Sequence, residues 1–330
     1  MATVKGIYFC AQSSLDAVYG PEQLAAIARR LDIPNTLVVR ENWREHRALL
    51  EDAGAIVSSW GGAILDEELL AAMPNLKIYF YGAGSIQGLM INSAWNRGIR
   101  ITSAAAVNAI PVAEFVLAQT IFSLKRGWEY MQLAKADLPH VWQGDKPVQG
   151  MFGSKVGLVG FGVIARKIAE LLRPFDVEVY ASSLSPEEES GVAFVSTEEI
   201  FKTCDVVSLH LPSNEGTKGI IGRKLLDTMK PNSTLINTAR GAIIDQPGLI
   251  EFLKARPDVF ACIDVTEPEP PELGCPFFGL PNVVLTPHLA GSFGNERRRL
   301  GHFIVDEIDR YLAGQPLKGE ITCEEAATLA

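Results

Sequence analysis

Residues 155–172 read KVGLVGFGVIARKIAELL. An apolar run stops at Gly160, and an amphipathic pattern of helical period begins a few residues later. That is a buried strand turning sharply into a helix. Gly160 supplies the tight turn, Gly162 lets backbone come close to a ligand, and Ala165 is small enough for the helix to lie on the strand. The N-terminus of such a helix offers unpaired N–H groups and a partial positive charge. Gly-x-Gly-x-x-Ala in this setting therefore fits a pyrophosphate. Taken alone, it also fits a strand-to-helix turn without a ligand.

Working outward, the same alternation continues in both directions. Downstream, strands are expected near 156–160, 177–181, 205–211, 233–237, 259–265 and 283–286, with helices near 162–173, 197–202, 222–229 and 245–255. Upstream, KGIYFC (5–10), TLVV (36–39), AIVSSW (55–60), KIYFY (77–81) and RITS (100–103) read as strands. Helical patterns at 21–31, 42–53 and 66–73 separate them. A long helical pattern, 111–137, starts at Pro111 and joins the two series; the tail is helical again over 295–315. Strands alternating with helices predict parallel sheets covered on both faces. The fold class expected is α/β, with two doubly wound parallel-sheet domains. Ligands in such folds sit at the carboxyl ends of the strands, at a switch point.

The bulk numbers narrow the function. The chain has 330 residues, 47% of them hydrophobic, enough for two cores. Thirty basic residues against 39 acidic give a net charge of −9, which argues against nucleic-acid binding through a general basic field. No unbroken apolar run approaches the roughly 18 residues of a membrane span, and MATVKGIYFC lacks a signal-like apolar region. The five cysteines (Cys10, Cys204, Cys262, Cys275, Cys323) have no metal-like spacing. The reading is a cytoplasmic chain with reduced thiols and no metal, nucleic-acid or membrane partner.

Three segments each carry polar residues just past an expected strand. Arg240 lies in INTARGAIID (236–245), Asp264 and Glu269 in CIDVTEPEP (262–270), and His288 in VVLTPHLAGS (283–292). All leave the sheet edge that carries the Gly162 loop. Their types fit hydride transfer between a nicotinamide and a 2-oxo or 2-hydroxy acid. A planar guanidinium grips a carboxylate and polarises a carbonyl. A histidine exchanges the hydroxyl proton near neutral pH, and a carboxylate beside it fixes the tautomer and favours the imidazolium. Arg240, His288 and Glu269 take these roles.

With these motifs in view, the sequence resembles the D-isomer-specific 2-hydroxyacid dehydrogenases. VGLVGFGVIA, DVVSLHLPSNEGTKGIIG, KPNSTLINTARGAIID, DVTEPEPPE and NVVLTPHLAG occur in the family's order and spacing. The resemblance spans nearly the whole chain, more weakly before residue 75. It implies a Rossmann cofactor domain, 110–293, inserted in a flavodoxin-like substrate domain built from 1–109 and 294–330. It also implies an NAD(P)-dependent D-2-hydroxyacid dehydrogenase, acting on a small 2-oxo acid and forming a homodimer through the long helix. Arg240, Glu269 and His288 match the family's catalytic trio. Gly160, Gly162, Val163 and Ile164 match its pyrophosphate loop, Leu211, Pro212 and Thr217 its adenine side, and Thr238, Ala239 and Asp264 its nicotinamide side. The amides of Ala83 and Gly84 match its substrate-carboxylate loop. Trp60, Phe80 and Tyr81, at expected strand ends, are read as candidates to line an apolar pocket, and Phe293 as a residue facing the substrate. Alternatives on the same fold are a dinucleotide-sensing corepressor-like protein and a formate- or phosphite-type dehydrogenase.

Which dinucleotide binds turns on VEVYASS (177–183). An acid that would hold the ribose 2′-hydroxyl of NAD is expected here, but Ala181 stands in its place, followed by Ser182 and Ser183. No cation follows before Phe194, whereas Glu187, Glu188 and Glu189 do. The reading is NAD, with NADP possible if Arg166 or Lys167 reaches the site; Ser182 is a hydrogen-bond candidate for either cofactor.

Overall fold

A computed structural model describes residues 4–136, 148–186 and 188–326; the end of the expected long helix at Asp137 and Glu187 of the acidic run lie outside the described residues. The chain divides into two compact units, 1–109 with 292–329, and 110–291.

The first unit holds a five-stranded sheet of β1 (Gly6–Phe9), β2 (Leu37–Val38), β3 (Ala55–Ser58), β4 (Ile78–Tyr81) and β5 (Arg100–Ser103), in the order β2-β1-β3-β4-β5. All pairings are parallel. This is the flavodoxin-like order. The residues of β1, β3 and β4 are buried on both faces, so these strands read as continuous apolar runs. Ile7, Phe9, Ile56, Tyr79 and Tyr81 serve one core, and Tyr8, Val57, Ile78 and Phe80 the other. Helix Arg297–Leu312 closes the second face with Leu300, Ile304 and Ile308. Phe80 is fully buried and packs edge-on against Tyr311. It therefore lines no pocket, contrary to expectation, because β4 is an inner strand of a parallel sheet covered on both faces. Tyr81, on the opposite face, is buried in the other core as well.

The second unit holds seven parallel strands: β6 (Ser154–Val159), β7 (Val177–Ser182), β8 (Val192–Phe194), β9 (Val206–Leu209), β10 (Thr234–Asn237), β11 (Phe260–Ile263) and β12 (Val283–Leu285). Their order is β12-β11-β10-β9-β6-β7-β8, a Rossmann arrangement whose direction reverses between β6 and β9. Short β8 is absent from the expected strands, since three part-exposed residues on an edge carry little pattern.

The long helix departs from its expected bounds. It starts at Ala105, not Pro111, and Pro111 lies inside it. Ser103 Oγ accepts from the Ala105 amide at 3.1 Å, so the start signal is a serine two residues upstream. The helix ends at Leu124, Arg126 turns left-handed (φ 50°), and a separate helix runs Gly127–Ala136. Ala105–Leu124 is also, by length and mean hydropathy (1.5), apolar enough to cross a membrane, which run length does not reveal because Asn108, Glu114 and Gln119 interrupt it. Ala109, Val112, Ala113, Val116 and Leu124 are nonetheless buried within the protein.

Candidate active site

The loop after β6 is built as its glycines require. Gly160 has φ +90°, and a Cβ there would lie 2.7 Å from the His210 carbonyl oxygen. Gly162 is the N-cap of helix Val163–Leu172, has no side-chain cap, and would present a Cβ to open space, with nothing within 4 Å. The first helical bond runs from the Arg166 amide to the Gly162 carbonyl, which leaves the Val163 and Ile164 amides for a ligand. Ala165 is fully buried against the strand.

Around this loop, buried polar atoms lack protein partners. Thr238 Oγ1, just past β10, has no hydrogen-bond partner among the described residues. Neither ring nitrogen of His210, just past β9, has one either. Buried polar groups are ordinarily paired, so these atoms and the open face of Gly162 fit a polar ligand lying along the switch point. Burial pushes the His210 imidazole down to about 3, so the ring is neutral. In sequence His210 reads as one more residue of a buried strand; the strand stops at Leu209, and His210 stands at its end. The signal for this is its place between the strand and Pro212. Leu211 reaches toward Gly160, and Thr217 Oγ1 donates to the Pro212 carbonyl at 2.6 Å, folding that turn.

Beyond β7, Thr197 donates its hydroxyl to Ser182 Oγ at 3.0 Å. Arg166 does approach this region, with its guanidinium 5.0 Å from the Phe161 ring, but Glu189 pairs with it at 3.1 Å and with Arg173 at 3.4 Å. Lys167 pairs with Glu170 at 2.8 Å.

Arg240 is held by its own turn. Asn237, fully buried at the end of β10, accepts from the Ala239 amide (3.1 Å) and donates to the Arg240 carbonyl (3.0 Å). Arg240 Nη1 donates to the Ala239 carbonyl at 2.6 Å. Burial lowers the Arg240 pKa, with Glu269 opposing that shift. A partly desolvated guanidinium binds an anion more strongly than a solvated one. Gly241 is obligatory beside it: a Cβ would fall 2.1 Å from the Thr266 backbone carbon. Neither Asn237 nor Gly241 stands out in the sequence, since what makes them necessary is folded backbone rather than a motif.

β11 and β12 bring the other two groups together. His288 Nδ1 and Glu269 Oε1 are 2.5 Å apart. His288 is left-handed (φ 53°), a conformation that costs a non-glycine residue about 1–3 kcal/mol. Its amide donates to the Asp264 carbonyl at 2.9 Å, which helps hold it there. The buried Asp264 side chain accepts from Thr286 Oγ1 (2.6 Å) and from the Leu289 (2.9 Å) and Ala290 (3.0 Å) amides. Asp264 thus shapes the His288 loop, a task not legible in the sequence.

In the first unit, Ser103 Oγ donates toward the Ala83 (2.9 Å) and Gly84 (2.5 Å) carbonyls. The amides of Ala83 and Gly84 have no backbone partner among the described residues. Two free adjacent amides at a strand end suit a carboxylate. Asn108 fixes the surroundings: its Oδ1 accepts from the Ser292 amide at 2.9 Å, and its Nδ2 lies 3.2 Å from where a Cβ on Gly84 would be.

Residues 119–290 match the NAD-binding domain of the D-isomer specific 2-hydroxyacid dehydrogenases. The (S)-sulfolactate dehydrogenase of Chromohalobacter salexigens is 32% identical over 283 residues, covering 80% of this chain and 89% of that protein. The glyoxylate reductase of Thermococcus litoralis is 32% identical over 263 residues, covering 76% and 78% respectively. Among solved structures, an acyclic imino acid reductase in complex with NADPH and D-arginine has a TM-score of 0.78 at 25% identity, covering 96% of this chain and all of that one.

Proposed function

Since the chain belongs to the D-isomer specific 2-hydroxyacid dehydrogenases, an NAD(P)-dependent oxidoreductase family, we propose that it reduces a short 2-oxo acid to the D-2-hydroxy acid. The observation that carries the mechanism is the His288–Glu269 pair at 2.5 Å, in the loops after β12 and β11, on the same sheet edge as Arg240 after β10. The Gly160–Ala165 loop and Thr238 would hold the nicotinamide cofactor, which would supply the hydride. Arg240 holds the substrate carboxylate and draws electron density from the 2-oxo group. His288, as imidazolium, gives its proton to the carbonyl oxygen, and Glu269 stabilises that imidazolium and sets the ring orientation. The neutral His288 regains a proton from solvent before the next turnover. Ala83 and Gly84 amides serve the substrate carboxylate, and Asp264 keeps His288 in place.

NAD is the proposed preference, because Glu189 already engages Arg166 and Arg173 and opposes a 2′-phosphate. We further propose a cytoplasmic homodimer without membrane attachment, joined through the apolar helix Ala105–Leu124. The free cysteines support a reducing compartment. The test is oxidation of NADH and NADPH with glyoxylate, hydroxypyruvate, pyruvate and longer 2-oxo acids. Arg240→Ala and His288→Ala are expected to lower turnover by at least about 10²-fold while NADH still binds. Absence of turnover with every acid would sink the reading.

A further inference from the structure

Trp60 and Phe293 each follow a serine hydrogen-bonded to a residue in or beside the loop that carries the free amides of Ala83 and Gly84. Trp60 follows Ser59, whose hydroxyl donates to the Gly82 carbonyl at 2.9 Å. Phe293 follows Ser292, tied to Asn108 beside Gly84. Both rings are unusually open for large apolar groups, 36% and 59% exposed. One cation lies against both: the Arg297 guanidinium carbon is 5.5 Å from the Trp60 ring centroid and 4.9 Å from that of Phe293. Among the described residues its guanidinium makes one hydrogen bond, from Nε to the Ser292 carbonyl, long at 3.4 Å. Glu296, the nearest carboxylate in sequence, accepts from the Phe293 amide at 3.0 Å and forms no ion pair with Arg297 among the described residues.

A guanidinium stacked on aromatic faces, with its outer N–H groups uncommitted, is preorganised for bidentate recognition of a planar anion. We propose that Arg297, stacked on Trp60 and Phe293, is a specificity-determining residue: it binds a second carboxylate at the far end of a 2-oxo acid, so that the substrate class is the short 2-oxo dicarboxylates. The inference rests on the 2-oxo acid reductase reading above. The first carboxylate goes to the Ala83 and Gly84 amides, and the rings exclude water around the second.

The experiment compares kcat/KM for oxaloacetate and 2-oxoglutarate with that for their neutral isosteres, 4-methyl-2-oxopentanoate and 5-methyl-2-oxohexanoate, glyoxylate being the reference for chemistry. One diacid is expected to exceed its isostere by at least about tenfold. Arg297→Gln should collapse that ratio by at least about tenfold through KM, with partial rescue in Arg297→Lys and no change in Arg299→Gln, an exposed neighbour. Trp60→Leu, which removes one face of the stack, should lower the ratio as well, and serves if Arg297→Gln does not fold. Turnover of glyoxylate without a preference for either diacid overturns this inference and leaves the reductase reading standing. So does a loss in Arg297→Gln that is equal for diacid and isostere, which marks a structural role. No turnover of any 2-oxo acid removes the reading beneath it.

Discussion

Replacing His210 with Gln should flatten the acid dependence of stability, by an amount set by the imidazole's burial. In the folded chain the ring stays neutral until about pH 3. In the unfolded chain it titrates near 6.5. Between these values the unfolded state binds a proton that the folded state refuses, so unfolding becomes easier as pH falls. The sign follows from a depressed histidine: no effect above about 6.5, and a growing loss below it. The slope approaches about 1.4 kcal/mol per pH unit, which amounts to about 2.5 kcal/mol between about pH 6 and pH 4. Carboxylates also destabilise the protein in acid, but they are common to both chains and cancel in the difference. Urea unfolding of wild type and His210→Gln at about pH 6, 5 and 4 measures that difference. Curves that stay parallel would refute the reasoning, since His210 would then take up its proton in the folded state as readily as in the unfolded one.

Further outcomes follow from the loops. Gly162→Val should leave the fold intact, because nothing lies within 4 Å of a Cβ there, yet weaken NADH binding by at least about tenfold, read by fluorescence titration. Glu189→Gln removes the carboxylate that Arg166 and Arg173 share and should raise the NADPH to NADH ratio of kcat/KM by about tenfold; an unchanged ratio would show that Glu189 does not set the preference. Gly241→Ala drives a methyl into the Thr266 backbone, which should cost roughly 1–3 kcal/mol of stability, read by urea unfolding, and separate Arg240 from Glu269, lowering kcat.

Expectation and structure part at a few residues, each for a physical reason. Pro111 reads as a helix start, because proline favours the first turn. The helix instead runs through it from Ala105, so local propensity yields to the capping of Ala105 by Ser103. Phe80 reads as a pocket residue because it lies near the end of an apolar strand; the face it takes depends on register with β3 and β5, which no single strand encodes. Arg166 reads as a cation for a 2′-phosphate, and the fold gives it to Glu189, 23 positions away.

What the sequence by itself determined is local. Apolar alternation dictated parallel strands, Gly160 and Gly162 dictated a turn with open backbone, and strand ends placed Arg240, Glu269 and His288 on one sheet edge. Each of these follows from short-range rules of period, sterics and backbone freedom. What only the tertiary structure decided is pairing across strands. It brings Glu269 to 2.5 Å from His288, commits Asp264 to the loop after β12, and strips His210 of partners among the described residues. It also lays Arg297 against Trp60, far earlier in the chain. Such contacts depend on distance in space and on shared desolvation, and neither quantity has a counterpart in the spacing of residues along the chain.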